Sequence, residues 1–448
     1  MLKRKIQSYI ENYLKNQSNR ILLIDGARQI GKSFIIKEVG TQCFKHFVEI
    51  NLYDDINGSK VFDNIRSVDD FYFKLSTVAG DNLGNYADTL VFLDEIQVYP
   101  QLLTLLKFLN AEHRFRYIAS GSQLGIALKM TTSVPIGSVE IKRMFQLDFE
   151  EFLWSCGFNE ESTAMLKKKM TGREQLDESM HNRLMDLFRK YLLVGGLPSV
   201  VNEYVATKNI VAIRKIQDDI KMLYGIDASQ YDTQHKLKIN TIYNLIPSNM
   251  ENKKKRVVYR DIEQKKDKRS RDYIEEFDYL LESGIALGVK AIASPTFPLV
   301  ASVSKNLIKL YMNDVGLLTN VLFKNSFEAV LNDIPSINLG SVYESVVAQE
   351  LCAHGYHLFY YDNKEKGEVD YIIDDYGTLS VLPIEVKSGK DYQRHSALNN
   401  LLSASYNIKR ACVLYNGSKA DVKNGVDYLP IYYIMSFDND SMQEKILL

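Results

Sequence analysis

Arg20-Ile21-Leu22-Leu23-Ile24-Asp25-Gly26-Ala27-Arg28-Gln29-Ile30-Gly31-Lys32-Ser33-Phe34-Ile35-Ile36 is the stretch that decides how this chain is read. Its apolar residues 21–24 predict a buried strand. The pattern Gly26-x-x-x-x-Gly31-Lys32-Ser33 follows at once, ahead of a helical pattern. Strand, glycine-rich turn and helix in that order make a P-loop. Glycines let the backbone wrap closely round phosphate oxygens, and the amides of the turn and helix start point at the anion. Lys32 brings a point charge to the β- and γ-phosphates and is a candidate catalytic residue; Ser33 offers its hydroxyl to Mg²⁺. Gly26, Ala27, Arg28, Gln29, Ile30, Gly31, Lys32, Ser33 and Phe34 are therefore the expected ATP-binding residues.

Working outward, residues 4–16 repeat apolar positions at helical spacing and predict a short amphipathic helix, and residues 47–52 predict a second strand. Residues 89–97 read Thr-Leu-Val-Phe-Leu-Asp94-Glu95-Ile-Gln. Four apolar residues in a row suit a strand covered on both faces of a parallel sheet. Acidic residues at its C-terminal end stand where open α/β sheets hold their ligands. Asp94 is expected to hold Mg²⁺, through water or through Ser33, and Glu95 to orient and polarise the attacking water. A further strand, 114–123, ends in Ser120-Gly121-Ser122-Gln123, where a polar residue serves either to sense a γ-phosphate or simply to turn the chain.

The 448 residues exceed one ordinary core, and about three domains are expected. With 46% hydrophobic and 25% charged residues the composition is that of a globular protein. A net charge of −1 gives no global pull toward nucleic acid or membrane, so such contact needs a local patch. Cys43, Cys156, Cys352 and Cys412 lie far apart, as reduced small hydrophobes rather than a disulfide frame or zinc site. No secretory signal or membrane-spanning run is read, and a cytoplasmic protein is expected.

Residues 149–232 are read as a helical lid and linker. Residues 252–272 then gather ten Lys/Arg against four Asp/Glu, including Lys253-Lys254-Lys255-Arg256 and Lys265-Lys266. Helices followed by strands at 285–289 and 308–311 look like a winged helix, whose basic face contacts phosphates or whose fold merely connects domains. From residue 326 a last constellation appears. Glu344 lies on a helix read as amphipathic; Asp370 and then Glu385-Val-Lys387 lie on strands joined by a turn near residues 375–377. Side chains repeat every two residues along a strand, so Glu385 and Lys387 share a face, and the hairpin brings Asp370 beside them. Tyr392 and His395 follow and either line the same cleft or are structural.

The pairing of the P-loop with the acidic strand end resembles an AAA-type ATPase. Phe145-Gln-Leu-Asp-Phe-Glu-Glu-Phe-Leu, Tyr191-Leu-Leu-Val-Gly-Gly-Leu-Pro-Ser-Val and Lys309-Leu-Tyr-Met-Asn-Asp-Val-Gly-Leu-Leu narrow the likeness. In that order, over about residues 18–415, they resemble bacterial and archaeal AAA ATPases with a C-terminal domain of the DUF4143 type. One departure is Gly137-Ser138, where many members carry Gly-Arg, a candidate arginine finger; Arg143 is either its substitute or a surface arginine. Glu344, Asp370, Glu385 and Lys387 resemble the PD-(D/E)xK nuclease core. That resemblance implies Mg²⁺ on Glu344, Asp370 and Glu385, with Glu385 and Lys387 catalytic. The expected fold is thus α/β: a P-loop parallel sheet (1–148), helical lid (149–232), winged helix (233–325) and restriction-endonuclease-like domain (326–448). The expected function is ATP binding and hydrolysis with engagement of nucleic acid, DNA rather than RNA, and a Mg²⁺-dependent nuclease site. The alternative is a nucleotide-switched scaffold whose nuclease-like domain docks without cutting. A protein partner or homo-oligomer fits either.

Overall fold

The computed structural model describes residues 2–16, 18–131, 137–228, 236–252, 255–264, 268–334, 337–389 and 391–439. The fold is α/β. The chain divides into two compact units, chiefly residues 3–145 with 282–284 and residues 146–281 with 285 onward.

In the first unit, β1 (Ile21–Asp25), β2 (His46–Asn51), β3 (Thr89–Asp94), β4 (Arg116–Gly121) and β5 (Val139–Arg143) pair in parallel, in the order β2-β3-β4-β1-β5. Every residue of β1 and β3 is buried, which is why their sequences run apolar without alternation. The helix Pro100–Glu112 buries Leu102, Leu103, Leu105, Leu106 and Leu109 in a core shared with Leu23, Val91 and Leu93. Each such leucine contributes about 1.5–3 kcal/mol of burial. Because β4 lies between β1 and β3, their C-terminal ends stand side by side. Ile24 is level with Ser120, and Leu93 with Ala119.

The second unit holds a mixed sheet. Its strands are β6 (Ala286–Ile292), β7 (Val303–Met312), β8 (Phe359–Asn363), β9 (Gly367–Asp375), β10 (Ser380–Lys387), β11 (Ala411–Tyr415), β12 (Asp421–Lys423) and β13 (Val426–Pro430). They run in the order β12-β13-β11-β10-β9-β8-β6-β7. Helices at Lys236–Glu251 and Ile274–Glu282 do precede the hairpin β6–β7, but β6 also pairs in parallel with β8, so the hairpin ends a larger sheet. A strand as apolar as β6, with Ala286, Leu287, Val289, Ala291 and Ile292 buried, is too costly to leave as half of a free two-stranded wing. The expected division at 325/326 therefore falls within one sheet-bearing unit.

The helices expected as a lid also belong to this unit. On the helix Glu178–Val194, Tyr191 donates its hydroxyl to the carbonyl of Leu147 at 2.7 Å and to Glu350 at 3.0 Å. The helix Gly340–Ala353 departs from the amphipathic reading as well. Every residue from Ser341 to Leu351 is buried, so it is a core helix covered all round.

Candidate functional site

The turn after β1 is built around glycine. Gly26, at φ +153°, could carry no Cβ without meeting the Met144 carbonyl oxygen at 2.4 Å and Ile30 Cδ1 at 2.7 Å. Gly31, at φ +91°, opens the helix Lys32–Cys43. Its first turn leaves amide groups without intrahelical acceptors. Lys32 is folded onto the loop, its Nζ donating to the carbonyls of Gly26 and Ala27, each at 2.8 Å. Burial lowers its pKa, while Glu95, Asp25 and Asp94 pull the other way. Arg28 leans over the Tyr53 ring at 5.8 Å, Gln29 takes a left-handed backbone at φ +66°, and Ala27 and Ile30 are buried. Phe34 is 58% exposed, so its ring is not part of the loop's packing.

Ser33 Oγ donates to Asp94 Oδ2 at 2.7 Å. The Ser120 hydroxyl and the Glu95 amide donate to Asp94 Oδ1 from the other side. Ser120, at the end of β4, thus orients the acid of the neighbouring strand. Glu95 stands at φ +56°, with its carboxylate held by the amide of Gln97. Sequence reasoning passed over Asp25 and Gln97. Asp25 ends β1, is buried, accepts from the Leu124 amide at 3.3 Å and lies 3.9 Å from the Arg143 guanidinium. Burial raises its pKa against the pull of Arg143. Its place at the strand end, directly before Gly26, was the available signal. The glycine-lined cradle and the paired hydroxyl and carboxylate of Ser33 and Asp94 fit a nucleotide's phosphates and one Mg²⁺.

In the second unit, Glu344, Asp370, Glu385 and Lys387 come together. Lys387 Nζ donates to Glu385 Oε1 at 2.7 Å, and the Val386 amide donates to Asp370 Oδ2 at 2.9 Å. Burial, then Asp370, raise the pKa values of Glu344 and Glu385, so these carboxylates feel one another. Tyr371 donates to the Glu344 backbone carbonyl at 2.8 Å, fixing the helix against β9. His395 is held by the Tyr428 hydroxyl at 2.6 Å, and burial lowers its pKa.

Cations that the sequence did not assign to this site fill the space between the acids. Lys309 of β7 is fully buried and pairs with Glu368 at 2.5 Å. Burial works against its charge, yet Glu344, Glu368 and Asp370 hold its pKa above the ordinary lysine value. Lys255 pairs with Glu344, and Arg256 pairs with Asp362 and lies 3.8 Å from Glu368. These two members of the basic stretch therefore face a carboxylate cluster; Lys253-Lys254 and Lys265-Lys266 lie outside the described residues. Among the described residues, no three His, Cys, Asp or Glu side chains are arranged to hold a metal ion, and no helix is long and apolar enough to cross a membrane.

Residues 18–153 match an AAA domain, residues 185–328 a domain of unknown function (DUF8612) and residues 339–434 a domain of unknown function (DUF4143). No curated protein matches the chain. Similar solved structures include the Walker-type ATPase PABY2304 of Pyrococcus abyssi, at 13% identity over 74% of this chain and 96% of that one, with a TM-score of 0.44. The Aeropyrum pernix ORC1 protein in complex with DNA is 15% identical over 73% of this chain and 92% of its own, with a TM-score of 0.29. The Thermotoga maritima RuvB Holliday junction branch migration motor is 13% identical over 64% and 89%, with a TM-score of 0.28.

Proposed function

The chain joins an AAA-type P-loop domain to a C-terminal DUF4143 domain, and we propose that it binds ATP with Mg²⁺ and hydrolyses it at the P-loop. The observation that carries this reading is the Ser33–Asp94 hydrogen bond of 2.7 Å beside the Gly26 turn. It presents two oxygens to one cation at the edge of the phosphate cradle. Lys32 neutralises the phosphates, and Glu95 orients the attacking water, with its carboxylate steadied by Gln97. Equilibrium binding and turnover test the assignment. Lys32→Ala is expected to weaken ATP binding, whereas Glu95→Gln is expected to keep binding and lose hydrolysis by about 100-fold or more. Full turnover in Glu95→Gln would assign the water to another group.

For the second unit, whose described acids are not arranged to hold an ion as they stand, we propose that Glu344, Asp370 and Glu385 would have to rearrange to take Mg²⁺, with nucleic acid, DNA rather than RNA, as the substrate class. Support comes from a buried oxygen of Glu385, Oε2, that no donor satisfies, next to the charge of Lys387. Docking without cleavage is the second reading, favoured by the ammonium groups of Lys255 and Lys309 among the acids. Cleavage of single- and double-stranded DNA and RNA with Mn²⁺, compared with Lys387→Ala, separates them. Loss in the variant supports the nuclease reading, and equal cleavage by both proteins would move the activity elsewhere.

A further inference from the structure

The ends of β1, β3 and β4 stand together at the P-loop, and Gln97, which belongs to none of these strands, touches residues beyond two of them. It lies in the single 3₁₀ turn Ile96–Val98 that follows β3. That turn is pinned on both sides. Ile96 is fully buried, and Tyr99 is buried with its hydroxyl donating to Asp55 Oδ2 at 2.9 Å. From this fixed turn the Gln97 amide nitrogen donates to the Glu95 carboxylate and, at 3.4 Å, to the hydroxyl of the buried Ser122, one residue past β4. Gly121 makes room for the amide, because a Cβ there would lie 2.3 Å from Gln97 Oε1. Gly121 is in turn level with Asp25, the last residue before the Gly26 turn.

We infer that Gln97 is a positioning residue for ATP hydrolysis. It ties the carboxylate of Glu95 to Ser122, so that the acid aimed at the attacking water is set by the end of β4. The inference rests on reading Glu95 as the water-orienting acid. Three observations support it. The direction of the amide is forced, since the reverse orientation would put its oxygen against an oxygen of Glu95. That direction leaves Gln97 Oε1 buried without a hydrogen-bond donor, a cost that the contact with Glu95 must outweigh and that a packing role alone does not require. Glu95 also holds φ +56°, a left-handed backbone with no glycine to ease it, so its place is imposed by its surroundings. The two serines at the end of β4 then have separate duties. Ser120 donates to Asp94, the acid on the metal side, while Ser122 reaches Glu95, the acid on the water side, through Gln97. Loss of such a tether misplaces the water-orienting group and costs rate rather than affinity.

A double-mutant cycle on ATP turnover by the full chain, with Mg²⁺ and saturating ATP, tests this. Gln97→Met keeps the length of the side chain and removes the amide. It is expected to lower kcat about tenfold or more, the scale of one hydrogen bond to a charged group, with the KM for ATP unchanged. In the Glu95→Gln background the same change should cost nothing further, because Gln97 acts through that acid. Ser122→Ala, which leaves Gln97 in place, gives a second route if Gln97→Met does not fold. It should lower kcat with KM unchanged, and it should add nothing to Glu95→Gln. If Glu95→Gln loses turnover while Gln97→Met and Ser122→Ala both keep the full kcat, the tether falls and the role of Glu95 stands. Losses that add in full to that of Glu95→Gln would overturn the tether as well. If Glu95→Gln keeps full turnover, the assignment of Glu95 falls and the tether with it.

Discussion

At the scale of single residues, the chain places charged groups where neighbours decide their state. Asp314 is the clearest case. It is fully buried, and it accepts from the Gly196 amide at 2.7 Å and the Leu317 amide at 3.1 Å. Burial nonetheless pushes its pKa up to about 6 from 3.8, against those backbone donors. The folded state therefore holds a proton that the unfolded chain has released. The stabilising contribution is full below the unfolded value and is lost as pH rises through about 6. Relative to Asp314→Asn, which cannot titrate, the native protein should lose roughly 2 kcal/mol of stability between about pH 4.5 and about pH 7. Urea unfolding of the pair at the two pH values measures it. A gap that widens with pH would reverse the sign and remove the argument.

At the scale of elements, the turn Gly195-Gly196 shows what a motif is for. By itself it reads as a tight turn capping a helix. Gly195 ends the helix Glu178–Val194 at φ +72°, where a Cβ would lie 2.0 Å from Asp314 Oδ1. At Gly196 a Cβ would meet the Leu147 carbonyl oxygen at 2.0 Å, and that oxygen is backbone and cannot rotate away. Leu147 N–H donates to the Gly196 carbonyl at 2.8 Å, so the two segments are stitched at the same point. Gly196→Ala is accordingly expected to destabilise the second unit by about 2 kcal/mol or more, read as a lower denaturant midpoint. An unchanged midpoint would mean the turn can open without cost. The hairpin β9–β10 makes the complementary point. Its register, Ile384 opposite Tyr371, follows from strand periodicity, and so the meeting of Asp370 with Glu385 was readable in advance.

At the scale of the whole molecule, each unit carries its own core. Leu23, Val91, Leu93 and Leu106 serve the first, and Val369, Ile372, Val413 and Tyr415 serve the second. Ligand at the P-loop should then stabilise the first unit. Mg²⁺–ATP at 100 times its dissociation constant should add about 2.7 kcal/mol to that unit's unfolding, and Lys32→Ala should cancel the effect. Calorimetry with and without nucleotide checks it; a transition that nucleotide leaves unmoved would count against the P-loop as the binding site.

The sequence by itself determined what depends on neighbours in the chain. The P-loop could be read because strand, turn and helix lie within seventeen consecutive residues, 20–36, and their chemistry is local. Asp94 and Glu95 were legible because an unbroken apolar run ends on them, and Asp370, Glu385 and Lys387 because strand alternation orients them. Tertiary structure alone decided the rest. It joined β6 to β8 across 66 residues or more of chain, extending the hairpin β6–β7 into a larger sheet. It brought Lys255, Lys309 and Glu368 to the acids, and it buried the helix Gly340–Ala353 on every side. The physical reason is that carboxylates gathered out of water need counter-charge, and the residues that supply it are set by packing rather than by proximity in sequence.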